Sequence, residues 1–234
     1  MSMGTDVREA IETFDLDELT VRELNGRLHA FSDGGRVRVL HPGGRHSIAA
    51  GLDAPYELEI DGHVGYYCAG MNQRATVRIH GNAGVGVAEN MMSGLVEVDG
   101  SASQSAGASA HGGLLKIGGD ASARCGISLK GADIVVAGSV GHLSAFMAQT
   151  GCLVVCGDAG EALGDSIYEA RVYVRGTVAS LGADCVEKEL RDEHSRQLSQ
   201  LLERAGVDAD PTEFRRYGSA RRLYNFEIDN AGAY

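Results

Sequence analysis

The sequence predicts an all-β chain, a single right-handed parallel β-helix of 19-residue coils with helical caps at its ends, and three observations predict it. Gly62, Gly81, Gly100, Gly119, Gly138, Gly157 and Gly176 stand 19 residues apart, each from the next. Two residues before each glycine comes Ile60, Ile79, Val98, Ile117, Val136, Val155 or Val174, and four before it Leu58, Val77, Val96, Leu115, Ile134, Leu153 or Val172. Two residues after it lies a smaller apolar column, Val64, Ala83, Ala102, Ala121, Val140, Ala159 and Val178.

Residues two apart share one face of a strand. The two aliphatic columns therefore line an interior, while Glu57, Glu59, Arg78, Glu97, Lys116 and Arg171 take outward positions. The small column marks a tight corner and a second, small-residue strand. The position after it, Gly65, Gly84, Ser103, Ser122, Gly141, Gly160 and Ala179, is never large, which predicts close backbone approach or positive φ.

A unit of this size cannot bury its apolar face alone and must stack on its neighbours. At a strand spacing of about 4.8 Å, seven coils span roughly 35 Å. An antiparallel sandwich would not hold one period through seven units. The hexapeptide left-handed helix has a period near 18 with three short strands per coil, whereas this repeat marks one strand, so the right-handed form is predicted.

Composition agrees. The 234 residues include 33 Gly, 3 Pro and no Trp, and 44% are hydrophobic, so small side chains do the packing. Glycine runs at about twice its average usage, yet with enough apolar company for a folded repeat. The net charge of −11 argues against nucleic acid and anionic membrane as partners. Neither an apolar leader run nor a stretch of membrane-spanning length is present, and five Cys, an odd number, read as reduced thiols. These features predict a cytoplasmic protein.

The coils are expected over 37–186. Residues 1–36 read as an N-terminal capping segment, in which Leu16, Leu19, Leu24, Leu28 and Phe31 suggest a short strand and an amphipathic helix. Residues 187–234 read as a C-terminal helix, with Leu190, Leu198, Leu201 and Leu202 on one face and Gly206 at its end, followed by a basic and aromatic tail. That tail carries Phe214, Arg215, Arg216, Tyr217, Arg221, Arg222, Tyr224 and Phe226. It either folds back on the acidic coils or docks another subunit.

The sequence offers no catalytic constellation, cofactor site or metal site. Cys152 and Cys156, four apart on one strand, lie about 13 Å apart, too far to share a metal. Cys68 and Cys125 occupy one repeat column three coils apart and read as small core residues. His41, His46, His63, His80, His111 and His142 show no ligand spacing. The run Gly81-Asn-Ala-Gly-Val-Gly lacks the Lys and Ser/Thr of a phosphate loop and reads as a coil turn.

The units Gly62-His-Val-Gly65, Gly81-Asn-Ala-Gly84, Gly138-Ser-Val-Gly141 and Gly157-Asp-Ala-Gly160 resemble the GXGXG family, the β-helix that ends the large subunit of glutamate synthase. The opening Asp15-Leu-Asp-Glu-Leu-Thr-Val-Arg-Glu-Leu-Asn25 and the closing Arg222-Leu-Tyr-Asn-Phe226 make the chain most similar to the β-helix subunit of methylamine–glutamate N-methyltransferases, also called N-methylglutamate synthases. The resemblance implies a non-catalytic, structural subunit of a hetero-oligomer. Its partners would be a glutamine-amidotransferase-like subunit and a synthase-like subunit carrying FMN and an iron–sulfur cluster, and the complex would join methylamine to glutamate with release of ammonia. A glutamate-synthase-like amidotransferase with another acceptor, a subunit like the C subunit of formylmethanofuran dehydrogenase, and a non-enzymatic interaction module remain the alternatives.

Overall fold

A computed structural model describes residues 11–31 and 34–222. Its backbone forms one eleven-stranded sheet coiled into a parallel β-helix. The strands are β1 (Ile11–Asp15), β2 (Arg36–Leu40), β3 (Glu57–Ile60), β4 (Thr76–Ile79), β5 (Leu95–Val98), β6 (Leu114–Ile117), β7 (Lys130–Val136), β8 (Thr150–Val155), β9 (Arg171–Val174), β10 (Cys185–Lys188) and β11 (Arg215–Ser219). Each strand from β1 to β9 pairs in parallel with the next, and from β3 to β9 the register advances by the repeat, as in Leu58↔Val77 and Val77↔Val96. The aliphatic columns thus stack residue on residue. Leu58, Ile60, Val77, Ile79, Leu115 and Ile117 are all fully buried, and each such side chain contributes about 1.5–3 kcal/mol of apolar burial.

The glycine column follows from how closely the coils approach. A methyl group on Gly81 would sit 2.6 Å from the carbonyl carbon of Gly62, and on Gly138 2.2 Å from Asp120 Oδ1. Of the seven column glycines only Gly62 has a positive φ, so contact with the coil below, rather than backbone conformation, excludes a side chain at the other six. The same holds for Gly65 and Gly84, which settles the sequence's two options in favour of close approach.

The second strand expected from the small column shrinks to one residue per coil. Val64, Ala83, Ala102, Ala121, Val140, Ala159 and Val178 form a ladder of isolated parallel bridges. Beyond it the chain takes positive φ at every second residue, for example Tyr67 (59°), Ala69 (54°) and Met71 (57°), with Arg124, Gly126 and Ser128 repeating the pattern three coils later. Strands cannot run here, and the N–H groups of the intervening Gly70 and Asn72 turn back within their own coil to Tyr67 O and Ala69 O, but the left-handed residues keep the coil-to-coil bonds. Tyr67 N–H donates forward to Val85 O, Ala69 N–H back to Ile48 O, and Met71 N–H forward to Glu89 O. Alternating left-handed residues aim successive N–H groups up and down the tube axis, and these bonds offset a cost of roughly 1–2 kcal/mol for each non-glycine residue held there.

At the start of the tube, α1 (Val21–Leu28) begins at Thr20, whose hydroxyl accepts from Glu23 N–H while the Glu23 carboxylate takes Thr20 N–H. Leu24 and Leu28 bury themselves against the first coils. At the other end α2 (Asp192–Ala205) stops at Gly206, left-handed at φ 61°. It flanks the tube rather than covering its last coil. Leu198, Leu201, Leu202 and Ala205 pack with Leu114, Val135, Cys152, Val154 and Tyr173 on the outer face of β6 to β9.

Candidate functional site

Three features of the outer surface could meet another molecule, and each derives from the repeat. The first is the corner after the column glycine. There His63, Asn82, Ser101, Asp120, Ser139 and Asp158 each accept, through Nδ1 or a side-chain oxygen, the backbone N–H of the residue one coil later, at 2.7–3.1 Å. At Ser101, Asp120, Ser139 and Asp158 the glycine before the rung and the small residue after it keep backbone bonds between coils, and the polar ladder takes up the one N–H between them. Asp158, bonded by both the N–H and the hydroxyl of Thr177, has its carboxyl held below the usual range.

The second feature is the outward side of the strands, which divides in two. Over β2 to β4, and in β5 at Glu97, it is charged and solvated, with Arg36, Arg38, Glu57, Asp61, Arg78 and Glu97 interleaved in ion pairs such as Arg38–Asp61 at 2.7 Å and Arg78–Glu97 at 2.8 Å. From Val135 onward the same column turns apolar, through Val154 and Tyr173, and α2 lies on it. Arg204 closes the edge of this contact on Asp133 at 3.1 Å. Burial raises the Asp133 carboxyl, and Arg204 partly offsets that.

The third is a set of exposed apolar side chains. Tyr66, Tyr67, Met71 and Met92 are each about half exposed, and the Tyr66 and Tyr67 rings meet edge to face at 6.4 Å. Tyr66 stacks on His46 with ring centres 4.4 Å apart, and the Tyr67 ring lies over Gly86, where a β-carbon would come within 2.7 Å of it. Single exposed apolar side chains need no explanation, but two adjoining exposed tyrosines are of the kind that interfaces are rich in.

The tail, which the sequence left either folded back on the coils or docking another subunit, is folded back over its described residues. β11 inserts antiparallel between β9 and β10, with Tyr217 in the tube interior and Phe214 against α2. Both side chains are buried, so as docking residues they are corrected to core residues; the aromatic spacing that suggested an anchor belongs to a strand and its approach. Arg215 donates to Gly176 O, Arg216 to Glu189 O and Arg221 to the Glu169 carboxylate, whereas Arg222 is exposed. Tyr224 and Phe226 lie outside the described residues.

The reactive side chains are placed for structure. All five cysteines are buried and free. Burial pushes the thiols of Cys68, Cys125, Cys152 and Cys185 up to about 12, far from the thiolate needed for nucleophilic attack or metal ligation. Cys152 and Cys156 sit on the outer strand face under α2 and not in the tube. Asp15, Asp17 and His41 bring three possible metal-ligand atoms within 4.8 Å of one another, a grouping that sequence spacing could not reveal because β1 and β2 create it. Its His41–Asp15 hydrogen bond, 2.8 Å, raises the imidazole and lowers the carboxyl, as expected of a strand-to-strand ion pair. A shallow cleft of about 360 Å³ lined by Arg36, Tyr56, Glu57, Arg74 and Thr76 presents neither cysteine nor histidine. None of the helices described is long and apolar enough to cross a membrane.

Fold and surface together define a parallel β-helix whose repeated corner side chains are committed to coil-to-coil bonding. The chain is 60% identical over 224 residues, 94% of its own length and 98% of the other's, to Protein GlxC of Rhizobium meliloti (strain 1021), and it belongs to that protein's family. No protein-family model matches the chain. No solved structure matches it either.

Proposed function

We propose that the chain is the structural β-helix subunit of a glutamate-synthase-like complex, and more narrowly of an N-methylglutamate synthase that forms N-methylglutamate from methylamine and glutamate and releases ammonia. The unbroken stack of coils under one glycine column carries the reading, since it gives the repeat units that resemble the GXGXG β-helix a rigid, continuous form. In this reading a glutamine-amidotransferase-like subunit and a synthase-like subunit bearing FMN and an iron–sulfur cluster supply the chemistry, and this chain supplies their fixed separation. A reactive intermediate handed from one centre to another gains from such positioning. The adjoining exposed Tyr66 and Tyr67, and the exposed Met71 and Met92, support it as side chains suited to burial against a partner.

The test is purification of the tagged chain from its native host, with a flavin and iron–sulfur absorption spectrum and an assay with methylamine plus glutamate. Co-purified flavoprotein and N-methylglutamate production are expected. A flavin complex active with another acceptor would leave the glutamate-synthase-like class and remove the methylamine assignment. A molybdenum or tungsten complex without flavin, or a chain that travels alone, would overturn both.

A further inference from the structure

The outer face at the C-terminal end of the tube concentrates positive charge in a chain of net charge −11. Register places Lys188 of β10 directly opposite Arg216 of β11, and Arg216 opposite Tyr173 of β9. Arg171, two residues before Tyr173 on the same face, is the diagonal neighbour of Arg216. Like charges directly opposite across a sheet destabilise it, and here a third cation adds to the pair.

Their partners do not neutralise them. Among the described residues Arg216 donates to the Glu189 carbonyl and Arg171 to Gln197 Oε1 at 2.7 Å, both uncharged acceptors. Gln197 is itself fixed, because the buried Tyr173 hydroxyl donates to the same oxygen at 3.0 Å. His194, only 6% exposed, stands beside them on the first turn of α2 with its Nδ1 taken by Arg191 N–H. Of the carboxylates near this face, Glu189 pairs with Arg191 in solvent, and Glu193 reaches His194 Nε2 at 3.5 Å and also attracts Arg216 without forming an ion pair with it.

We propose that Arg171, Arg216 and Lys188, with His194 at the edge, form a binding site for a small oxyanion of the carboxylate or phosphate class. Two guanidinium forks on a rigid sheet suit the paired oxygens of either group. The anion offsets the cross-strand repulsion between these cations. This site stands independently of the complex proposed above. It also predicts a reporter, since burial, Arg216, Arg171 and Arg191 together hold the His194 imidazole low, with Glu193 opposing them. An anion seated among the arginines offsets part of the positive charge that His194 feels.

The experiment follows His194 by NMR in the full chain with labelled histidine, assigned through His194→Gln, in chloride, inorganic phosphate and succinate at equal ionic strength. A saturable rise of the His194 titration midpoint by about half a pH unit or more is expected in one of the two oxyanions. Phosphate alone acting identifies a phosphate site, and succinate alone a carboxylate site. Arg171→Gln and Arg216→Gln should each weaken the effect at least about tenfold in apparent affinity, whereas Arg22→Gln on α1 should leave it unchanged. A midpoint that is the same in all three salts, or that responds without saturation, overturns the proposal from the wild-type chain alone.

Discussion

The Asp158 carboxylate reaches along the tube to the next coil, where its Oδ1 accepts the Thr177 N–H at 2.7 Å and the Thr177 hydroxyl at 2.9 Å. Both donors favour the ionised form, so the folded chain holds this carboxyl below its ordinary value. A depressed folded pKa adds stability above the unfolded pKa and loses it as pH falls through the folded value. Asp158→Asn keeps an acceptor oxygen but no charge. It should unfold at lower urea than wild type near pH 7, with the gap closing near pH 2; a gap that is constant or grows in acid would refute this role.

Two glycines should respond in opposite directions to the same substitution. Gly138→Ala drives a methyl group into Asp120 Oδ1 and the Gly119 carbonyl, and should cost about 1–3 kcal/mol by overpacking. Gly26 lies inside α1, where an added β-carbon would meet nothing within 4 Å, so Gly26→Ala should gain about 0.5–1 kcal/mol of helix propensity. Equilibrium denaturation of the two variants checks both signs.

Arg124 is exposed and left-handed at φ 60°. Arg124→Gly should therefore be neutral or stabilising by about 1 kcal/mol, while the β-branched Arg124→Val should cost about 1–2 kcal/mol. A valine variant as stable as wild type would show that this turn gives way easily.

Leu198 is fully buried between α2 and the outer face of β6 to β9. Leu198→Ala should destabilise the chain by about 2–5 kcal/mol. Hydrogen exchange should localise the loosening to α2 and leave the β3 to β5 amides protected; uniform loss of protection would mean that the helix and the coils unfold as one unit.

The coil stack was legible because stacking makes one residue answer to its counterpart 19 positions away, so Ile60, Ile79 and Val98 announce a shared interior. Both flanking helices were legible from Leu spacing and from Gly206. The left-handed turns were not. Tyr67, Arg124 and Leu143 occupy one column and share a conformation but no side-chain chemistry, since backbone bonds between coils impose it. Where α2 lies could have been read from the outward column, which changes from Glu97 and Lys116 to Val135, Val154 and Tyr173 where the helix covers it. The sequence left the tail either folded back or docking a subunit; β11 folds back, and Phe214 and Tyr217, buried on opposite sides of the sheet, could not be told in sequence from an exposed aromatic anchor.

That the tube holds other chains in place is tested most directly by native-host purification of wild type beside Tyr66→Ser/Met71→Ser, two exposed positions whose exchange should leave the coils folded. Wild type should elute in size exclusion as a hetero-oligomer with flavin absorption, and the variant as a folded chain with less of its partner bound. Wild type eluting alone at its own 24.6 kDa would contradict the account.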